Sequence, residues 1–564
     1  MFKTNKRNFL FEKIFTKAPN VSAFDLSRSH KTTYNMGELI PIYAKFTNPG
    51  ERWQLACSQI TRFLALQAPV QHNIDITFSA FWVRCQGQIF EEFDHAFYGF
   101  GDENSWKAAS QLTRPEIPYL PFNILGKYSI GGYPNYKRNY LRLVDYLHMP
   151  KNYFYSASAA PTTKSEVKIN TFKLFAYHKI YNDYFRDPNL SEAMQLPTTL
   201  TGELTKEKLD AELSNPLSLF QLHRVCYRKD AFTSALPEPQ RGPDVLIPMT
   251  MEGNMEIDYN KQFVHSFSPG QTQASNGTVQ HNMTNIVDGQ TGWLKDEKGG
   301  RLDLNPEAFQ INLQNATSSI RDLRLSNVLQ KLFEKFGLGG GRKVEQAKSI
   351  YNMDLPNIYS NRCQFLGSVT MPVQISDVIQ TSQSTSDSAL GDFAGRAISA
   401  GAKMLVDNFT SPEHGVLMVM MYVRPQNGYC TQGIEPEDMI HDYYDFPIPD
   451  LEHIGEEAIK NCQLYFNPTD QSKNTGIFGY APRYWSYKTS NDQVSGEFGE
   501  TLEFWHLARK FTATPNLNQS FMNVKSDNRI FAVTDDDVDH LYSNINITCK
   551  ALRPYSEYST PMFL

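Results

Sequence analysis

Val416-Leu417-Met418-Val419-Met420-Met421-Tyr422-Val423 is apolar at every position. The run is far shorter than the ~20 residues a membrane helix needs. It predicts a strand in the middle of a sheet, covered on both faces. A second stretch carries the complementary pattern. Ile74, Ile76, Phe78, Ala80 and Trp82 alternate with Asp75, Thr77 and Ser79, the period of two that marks a strand with one buried face. Further strands are expected at Leu39–Phe46 and Arg52–Ser58, which flank the turn signal Asn48-Pro49-Gly50, and at Gly367–Ile375 and Asn544–Lys550. Strands scattered over the whole length, with the last one near the C-terminus, suit a β-sandwich whose connections have been enlarged.

Helical periodicity lies between these strands. Tyr136, Tyr140, Leu143, Val144 and Leu147 share one face of a helix that Pro134 opens near its first turn. A second helix is expected over Thr171–Arg186, stopping before Pro188. The clearest runs from Thr317 to Phe336, with Ile320, Leu323, Val328, Leu329, Leu332, Phe333 and Phe336 as a core-facing stripe and Gly337 as its C-cap. Pro248 to Asn315 is polar, rich in Asn, Gln, Gly, Ser and Thr, and reads as a long surface loop, as does Thr381–Asp392. The expected organisation is an N-terminal arm (1–35), a first part of the core with helical insertions (36–247), a polar surface insertion (248–315), and helices with the remaining strands (316–564).

The composition agrees with a β-rich protein that makes large contacts. Of 564 residues, 13% are aromatic and 20% charged, with 37 Phe and 29 Tyr; aromatic side chains favour strands and interfaces. A net charge of −6 argues against a chain that binds nucleic acid along its whole surface, so any such contact needs a local basic patch. The seven cysteines, Cys57, Cys85, Cys226, Cys363, Cys430, Cys462 and Cys549, are far apart and odd in number. They read as buried thiols in a protein made in a reducing compartment. The N-terminus has no long apolar stretch of the signal-peptide kind.

Catalytic signatures are nearly absent from the sequence. There is no G-x-S-x-G, H-E-x-x-H or G-x-x-x-x-G-K-[ST] motif. Gly337-Leu-Gly339-Gly340-Gly341-Arg342-Lys343 resembles a phosphate loop only superficially, since it follows a helix and Lys343 precedes Val344; a helix-to-helix connection is expected instead. Thr534-Asp535-Asp536-Asp537-Val538-Asp539-His540 has carboxylates for Ca²⁺ but lacks the glycine and distal glutamate of an EF-hand loop, and reads as a solvated turn. The thirteen histidines show no ligand spacing. No catalytic residue, metal site or cofactor is assigned, and the chain is expected not to be an enzyme.

One basic cluster stands out. Lys3, Lys6, Arg7, Lys13 and Lys17 interleave with Phe2, Phe9, Phe11 and Phe15, and only Glu12 interrupts them. These cations are DNA-contact candidates: they can neutralise phosphates while the rings stack on unpaired bases. The other reading is an amphipathic arm whose phenylalanines dock on a neighbouring subunit.

Several stretches resemble the major capsid proteins of gokushoviruses, small single-stranded DNA bacteriophages of the Microviridae. They are Phe24-Asp25-Leu26-Ser27-Arg28-Ser29-His30-Lys31-Thr32-Thr33 with Gly37-Glu38-Leu39-Ile40-Pro41-Ile42-Tyr43; Tyr181 to Leu190; Tyr227 to Pro243, the most specific; Gly479-Tyr480-Ala481-Pro482-Arg483-Tyr484; and Trp505-His506-Leu507. They occur in the family's order and span about residues 24 to 554. The resemblance implies a viral jelly roll, an eight-stranded antiparallel β-sandwich with long loop insertions containing helices. It also implies self-assembly into a T=1 icosahedral shell, sixty copies by symmetry, around circular single-stranded DNA. The shell would be assembled in the host bacterial cytoplasm and located in the virion. Small DNA-binding and pilot or minor capsid proteins would be further partners. Residues 248–315 would build a protrusion at the three-fold axis, where contact with a host receptor is possible. From another class, a carbohydrate-binding or carbohydrate-cleaving β-sandwich would use aromatic platforms and a carboxylate pair, but nothing in the sequence singles out such a pair.

Overall fold

The computed structural model describes residues 21–98, 114–156, 167–247, 319–379 and 393–558, together with short strands between 250 and 317. The core strands are β1 (Ser22–Asp25), β2 (Arg28–Tyr34), β3 (Ile40–Thr47), β4 (Arg52–Phe63), β5 (Ile74–Arg84), β6 (Gln364–Pro372), β7 (Gln374–Ile379), β8 (Phe393–Thr410), β9 (Gly415–Pro425) and β10 (Leu541–Arg553). One sheet has the order β2-β10-β4-β8-β7, with β1 continuing the line of β2 along β10; the other has the order β6-β5-β9-β3. Every pairing in both is antiparallel. The four-strand orders β2-β10-β4-β8 and β3-β9-β5-β6 are those of a jelly roll, with β7 as an added edge strand. The connections from β5 to β6 and from β9 to β10 carry the large insertions.

The two deciding stretches behave as their patterns require. β9 lies between β5 and β3 and is buried from Gly415 to Val423. Ile74, Ile76, Phe78, Ala80 and Trp82 of β5 face the space between the sheets with Leu417, Val419, Met421, Trp53, Leu55, Ile545 and Ile547. The opposite face of the same sheet, carrying Phe81, Val83, Val416, Met418 and Met420, is covered by the helical insertion through Phe172, Leu174, Phe175 and Tyr177. Both faces are therefore dry, at roughly 1.5–3 kcal/mol for each large side chain removed from water. Trp82 donates from Nε1 to Thr47 Oγ1 at 2.9 Å, whereas the Trp53 indole N–H, buried in the same core, has no hydrogen-bond partner. Gly37, between β2 and β3, has φ +78°, and a Cβ there would come within 2.6 Å of the Val524 carbonyl oxygen, so this corner requires glycine.

Several expectations need correction. The expected helix over Tyr136–Leu147 is two, α1 (Tyr136–Tyr140) and α2 (Arg142–Tyr146), broken at Leu141, whose φ/ψ of −103°/−9° departs from helical values; Asn135 in the left-handed region, not Pro134, precedes it. The second helix, α3 (Phe172–Ile180), widens into a π turn over Tyr181–Phe185 before Arg186 turns extended ahead of Asp187-Pro188. The third, α4 (Ile320–Leu338), runs through Gly337; the left-handed glycine beyond its end is Gly340, with φ +86°. Its stripe is not core in the subunit, since Ile320, Leu323 and Val328 are exposed and Leu329, Leu332, Phe333 and Phe336 are half-buried. The glycine-rich turn does connect two helices, α4 and α5 (Lys343–Tyr351). The stretch 367–375 falls in two strands, β6 and β7, interrupted at Val373.

β2 and β8 carried no signal. β8, Phe-Ala-Gly-Arg-Ala-Ile-Ser-Ala-Gly-Ala-Lys-Met, is built from small residues of low strand propensity. Its glycines let neighbours come close: a Cβ on Gly401 would meet Met371 Sδ at 2.9 Å.

Residues 240–335 form a unit of their own. Within it Met255–Ile257 pairs with Phe309–Ile311, Thr250–Met251 with Ala316–Thr317, and Arg301–Leu304 with both Phe263–His265 and Leu294–Lys295, all antiparallel. The segment read as loop therefore holds strands, each too short to show a period of two. The expected mobility of 248–315 and the loop at Thr381–Asp392 fall outside the described residues.

Candidate nucleic-acid interface

The outward face of the first sheet meets α1 and α2 across a cleft of about 2040 Å³. β2 contributes His30 to Thr33, β4 contributes Ile60 and Arg62, β10 contributes Tyr542 to Asn544, and the helical wall runs from Asn135 to Ser156. Strand alternation explains Lys31, Thr33, Ile60, Arg62, Tyr542 and Asn544. The inward side chains Tyr34, Phe63 and Leu541 fill the sandwich, so their alternates must point out.

Six basic side chains line the cleft, Lys31, Arg62, Lys137, Arg138, Arg142 and Lys151, against three acids, Asp145, Asp537 and Asp539. That is a local excess of positive charge on a chain of net −6. The pairing is uneven. Arg142 pairs with Asp539 and donates to the Thr33 carbonyl at 3.1 Å and the Tyr146 hydroxyl at 2.8 Å. Arg138 lies 3.3 Å from Asp539 and 3.6 Å from Glu38. Tyr146, pushed up by burial and then by the Glu38 carboxylate, stays protonated and donates to the Thr33 carbonyl at 2.7 Å. These groups tie α1 and α2 to β2 and to the acidic turn. Lys151 is held by Asp145 at 2.9 Å. Lys31, Arg62 and Lys137 are exposed and have no acidic partner among the described residues. Beside them are Tyr542, 40% exposed, and Tyr136, edge-on to Tyr155 at 5.1 Å. Unpaired cations next to accessible rings are the elements of a single-strand binding groove.

The end of the cleft holds a histidine pair. Arg28 donates from Nη2 to His148 Nε2 at 2.7 Å, and the His30 and His148 rings meet edge-on at 4.6 Å. Burial, then the Arg28 charge, lowers His148 to about 4 and lowers His30 as well. Both rings are neutral near pH 7, so the excess charge there comes from lysine and arginine.

The arm residues Lys3, Lys6, Arg7, Lys13 and Lys17 lie outside the described residues. The acidic turn is partly solvated as expected, but Asp539 is not: its side chain is 13% exposed and faces two arginines. Histidines without ligand spacing do pair in space, His30 with His148 and His178 with His223. No group of three or more metal-ligating side chains occurs among the described residues, and no helix among them is long and apolar enough to cross a membrane. All seven cysteines are free thiols, six of them buried. The cleft itself escaped the sequence because Lys31, Arg62 and Lys137 are never neighbours in the chain; the one local hint was that Arg62 occupies a polar position in the alternating strand β4.

This architecture defines a jelly-roll protein, a class that holds viral capsid subunits, lectin domains and cupins. The chain belongs to the capsid protein (F protein) family of phages, whose model matches residues 13–157 and 150–563. It is similar to capsid protein VP1 of Chlamydia phage 1, 26% identical over 100% of this chain and 99% of that one. It is also similar to capsid protein VP1 of Bdellovibrio phage phiMH2K, 27% identical over 97% of each, and of Spiroplasma virus 4, 26% identical over 94% of each. A capsid protein resides in the virion and assembles with its own copies into the shell.

Proposed function

We propose that this subunit builds a T=1 icosahedral shell around circular single-stranded DNA, and that the basic cleft faces inward and holds the packaged strand. The observation that carries the second part is the set Lys31, Arg62 and Lys137, three exposed cations without acidic partners beside Tyr542 and Tyr136. Each phosphate they neutralise releases counterions, and each ring offers a base about 1–3 kcal/mol of stacking. The role is structural and not catalytic, a reading supported by family membership and by the lack of a catalytic motif. The same membership weighs against a carbohydrate-binding or carbohydrate-cleaving sandwich.

Assembly in the host cytoplasm, and small DNA-binding and pilot proteins as partners, belong to the same proposal. So does a three-fold protrusion from 248–315 able to touch a host receptor; that residues 240–335 form a unit of their own supports it.

The test is the triple variant Lys31→Gln, Arg62→Gln, Lys137→Gln in the full chain. Shells should form with less packaged DNA, and the log–log salt slope for binding an oligothymidylate should fall by about 2, from ~0.7 per lost contact. Shells with the normal DNA content and an unchanged slope would overturn the assignment of the cleft.

A further inference from the structure

The insertion between β9 and β10 displays a surface unlike the cleft. Between Glu435 and Glu457 the chain has nine acidic residues and no lysine or arginine. In the same stretch Tyr443, Tyr444, Phe446 and Ile454 are 54–62% exposed, with the two tyrosine rings 4.0 Å apart. Neighbouring exposed apolar groups of this kind mark a contact surface.

The strap is held in shape before anything binds. Asp445 accepts from the backbone N–H of His441 at 2.9 Å and of Asp442 at 3.1 Å. Ile448 N donates to the Tyr484 hydroxyl at 3.3 Å, and Lys488 pairs with Glu452 at 2.8 Å. A preformed surface loses little conformational freedom on binding. Glu437, Asp438, Asp450 and Glu457 have no lysine or arginine partner among the described residues.

We infer that this acidic, aromatic strap is the docking site for the N-terminal arm, residues 1–20, of a second copy of the chain in the shell. The arm is the strap's chemical complement: five cations against one acid, interleaved with Phe2, Phe9, Phe11 and Phe15. Opposite charge selects the partner and its register, and ring-to-ring contact adds affinity. Its length suffices, since twenty residues extend to about 70 Å, on the scale of a subunit. Each copy offers one arm and one strap, so every arm in a closed shell has one strap to fill. This assigns the arm to a neighbour and leaves the packaged strand to the cleft.

The test uses shells assembled from a mixture of ordinary and ¹⁵N-labelled full-length chains, treated with a zero-length carbodiimide cross-linker. Mixed-isotope links from Lys3, Lys6, Lys13 or Lys17 to acids in 435–457 are expected. Absence of such links, links only within one chain, or ultraviolet cross-links from arm phenylalanines to DNA in their place would overturn the inference. A second measurement reads the contact without cross-linking. Glu437→Lys, Asp438→Lys and Asp450→Lys together should expose Lys13 and Lys17 in the particle, raising tryptic cleavage there at least about 10-fold. Adding Lys3→Glu, Lys6→Glu and Arg7→Glu should return cleavage, and particle yield if it fell, toward the parent. A strap variant that cleaves like the parent, or a combined variant that restores neither, would also overturn it.

Discussion

His178 Nδ1 lies 2.8 Å from His223 Nε2, deep in the helical insertion. His178 Nε2 faces the Leu219 carbonyl at 2.8 Å and must donate to it, so Nδ1 is the acceptor and His223 supplies the proton. Tyr181 stacks on His223 at 3.6 Å and closes the other side.

Burial makes a further proton on the pair costly. Burial lowers His178 to about 4 and takes His223 down as well. With the folded value below the unfolded ~6.5, the unfolded chain takes up protons first as pH falls. The stability this neutral pair contributes is therefore full above about 6.5 and lost progressively toward pH 4, by about 3 kcal/mol for His178 alone. Urea midpoints of the subunit at pH 7.5 and 4.5 check this. The difference should shrink in His178→Asn, and an equal difference in both proteins would refute it.

Arg509 is the hub of a satellite core. Its guanidinium carbon lies 3.8 Å from the centre of the Phe521 ring, with Tyr227, Phe511 and Tyr429 at 4.8, 5.4 and 5.7 Å, and Nη2 donates to the Phe521 carbonyl at 2.8 Å. Arg509→Lys keeps the charge but loses the planar stack and should cost about 1–2 kcal/mol; Arg509→Ala should cost about 2–4 kcal/mol. Calorimetry of the two variants tests the order, and equal losses would remove the planar contribution.

Leu417 and Leu552 contrast two faces of the sandwich. Leu417 is fully buried between the sheets, whereas Leu552 is 41% exposed on the outer side of β10. Leu417→Ala should destabilise the subunit by about 2–5 kcal/mol and Leu552→Ala by no more than about 0.5 kcal/mol. Chemical denaturation reads both.

Gly37→Ala combines a left-handed backbone with a Cβ within 2.6 Å of the Val524 carbonyl oxygen. A loss above about 2 kcal/mol is expected. A Gly50→Ala control, equally left-handed at φ +80° but with open space around its Cβ position, should lose only the backbone share. If the two lost the same amount, the clash at Gly37 would be relieved by movement.

The strands that decide the fold were legible because their signal is local. Burial on both faces of β9 leaves no polar position from Val416 to Val423, and burial on a single sandwich face imposes the alternation from Ile74 to Trp82. The family motifs were equally legible, since Gly37-Glu38-Leu39 marks a corner that tolerates no side chain at Gly37. β8 was not legible. Its alanines and glycines answer to how closely its neighbours approach, and a strand carries no record of its neighbours' distance. The stripe on α4 had the right period and the wrong destination, because periodicity says that a face is apolar and not what covers it. The cleft lay furthest out of reach. Lys31 on β2 and Arg62 on β4 share a surface only because both strands pair with β10 around Tyr542, and Asp539 meets Arg138 and Arg142 only when a turn near the C-terminus folds back against α1 and α2. Hydrophobic pattern thus determined strands such as β5 and β9, through forces acting within each segment. Sheet order, formed by hydrogen bonds between segments hundreds of residues apart, decided which charges stand together.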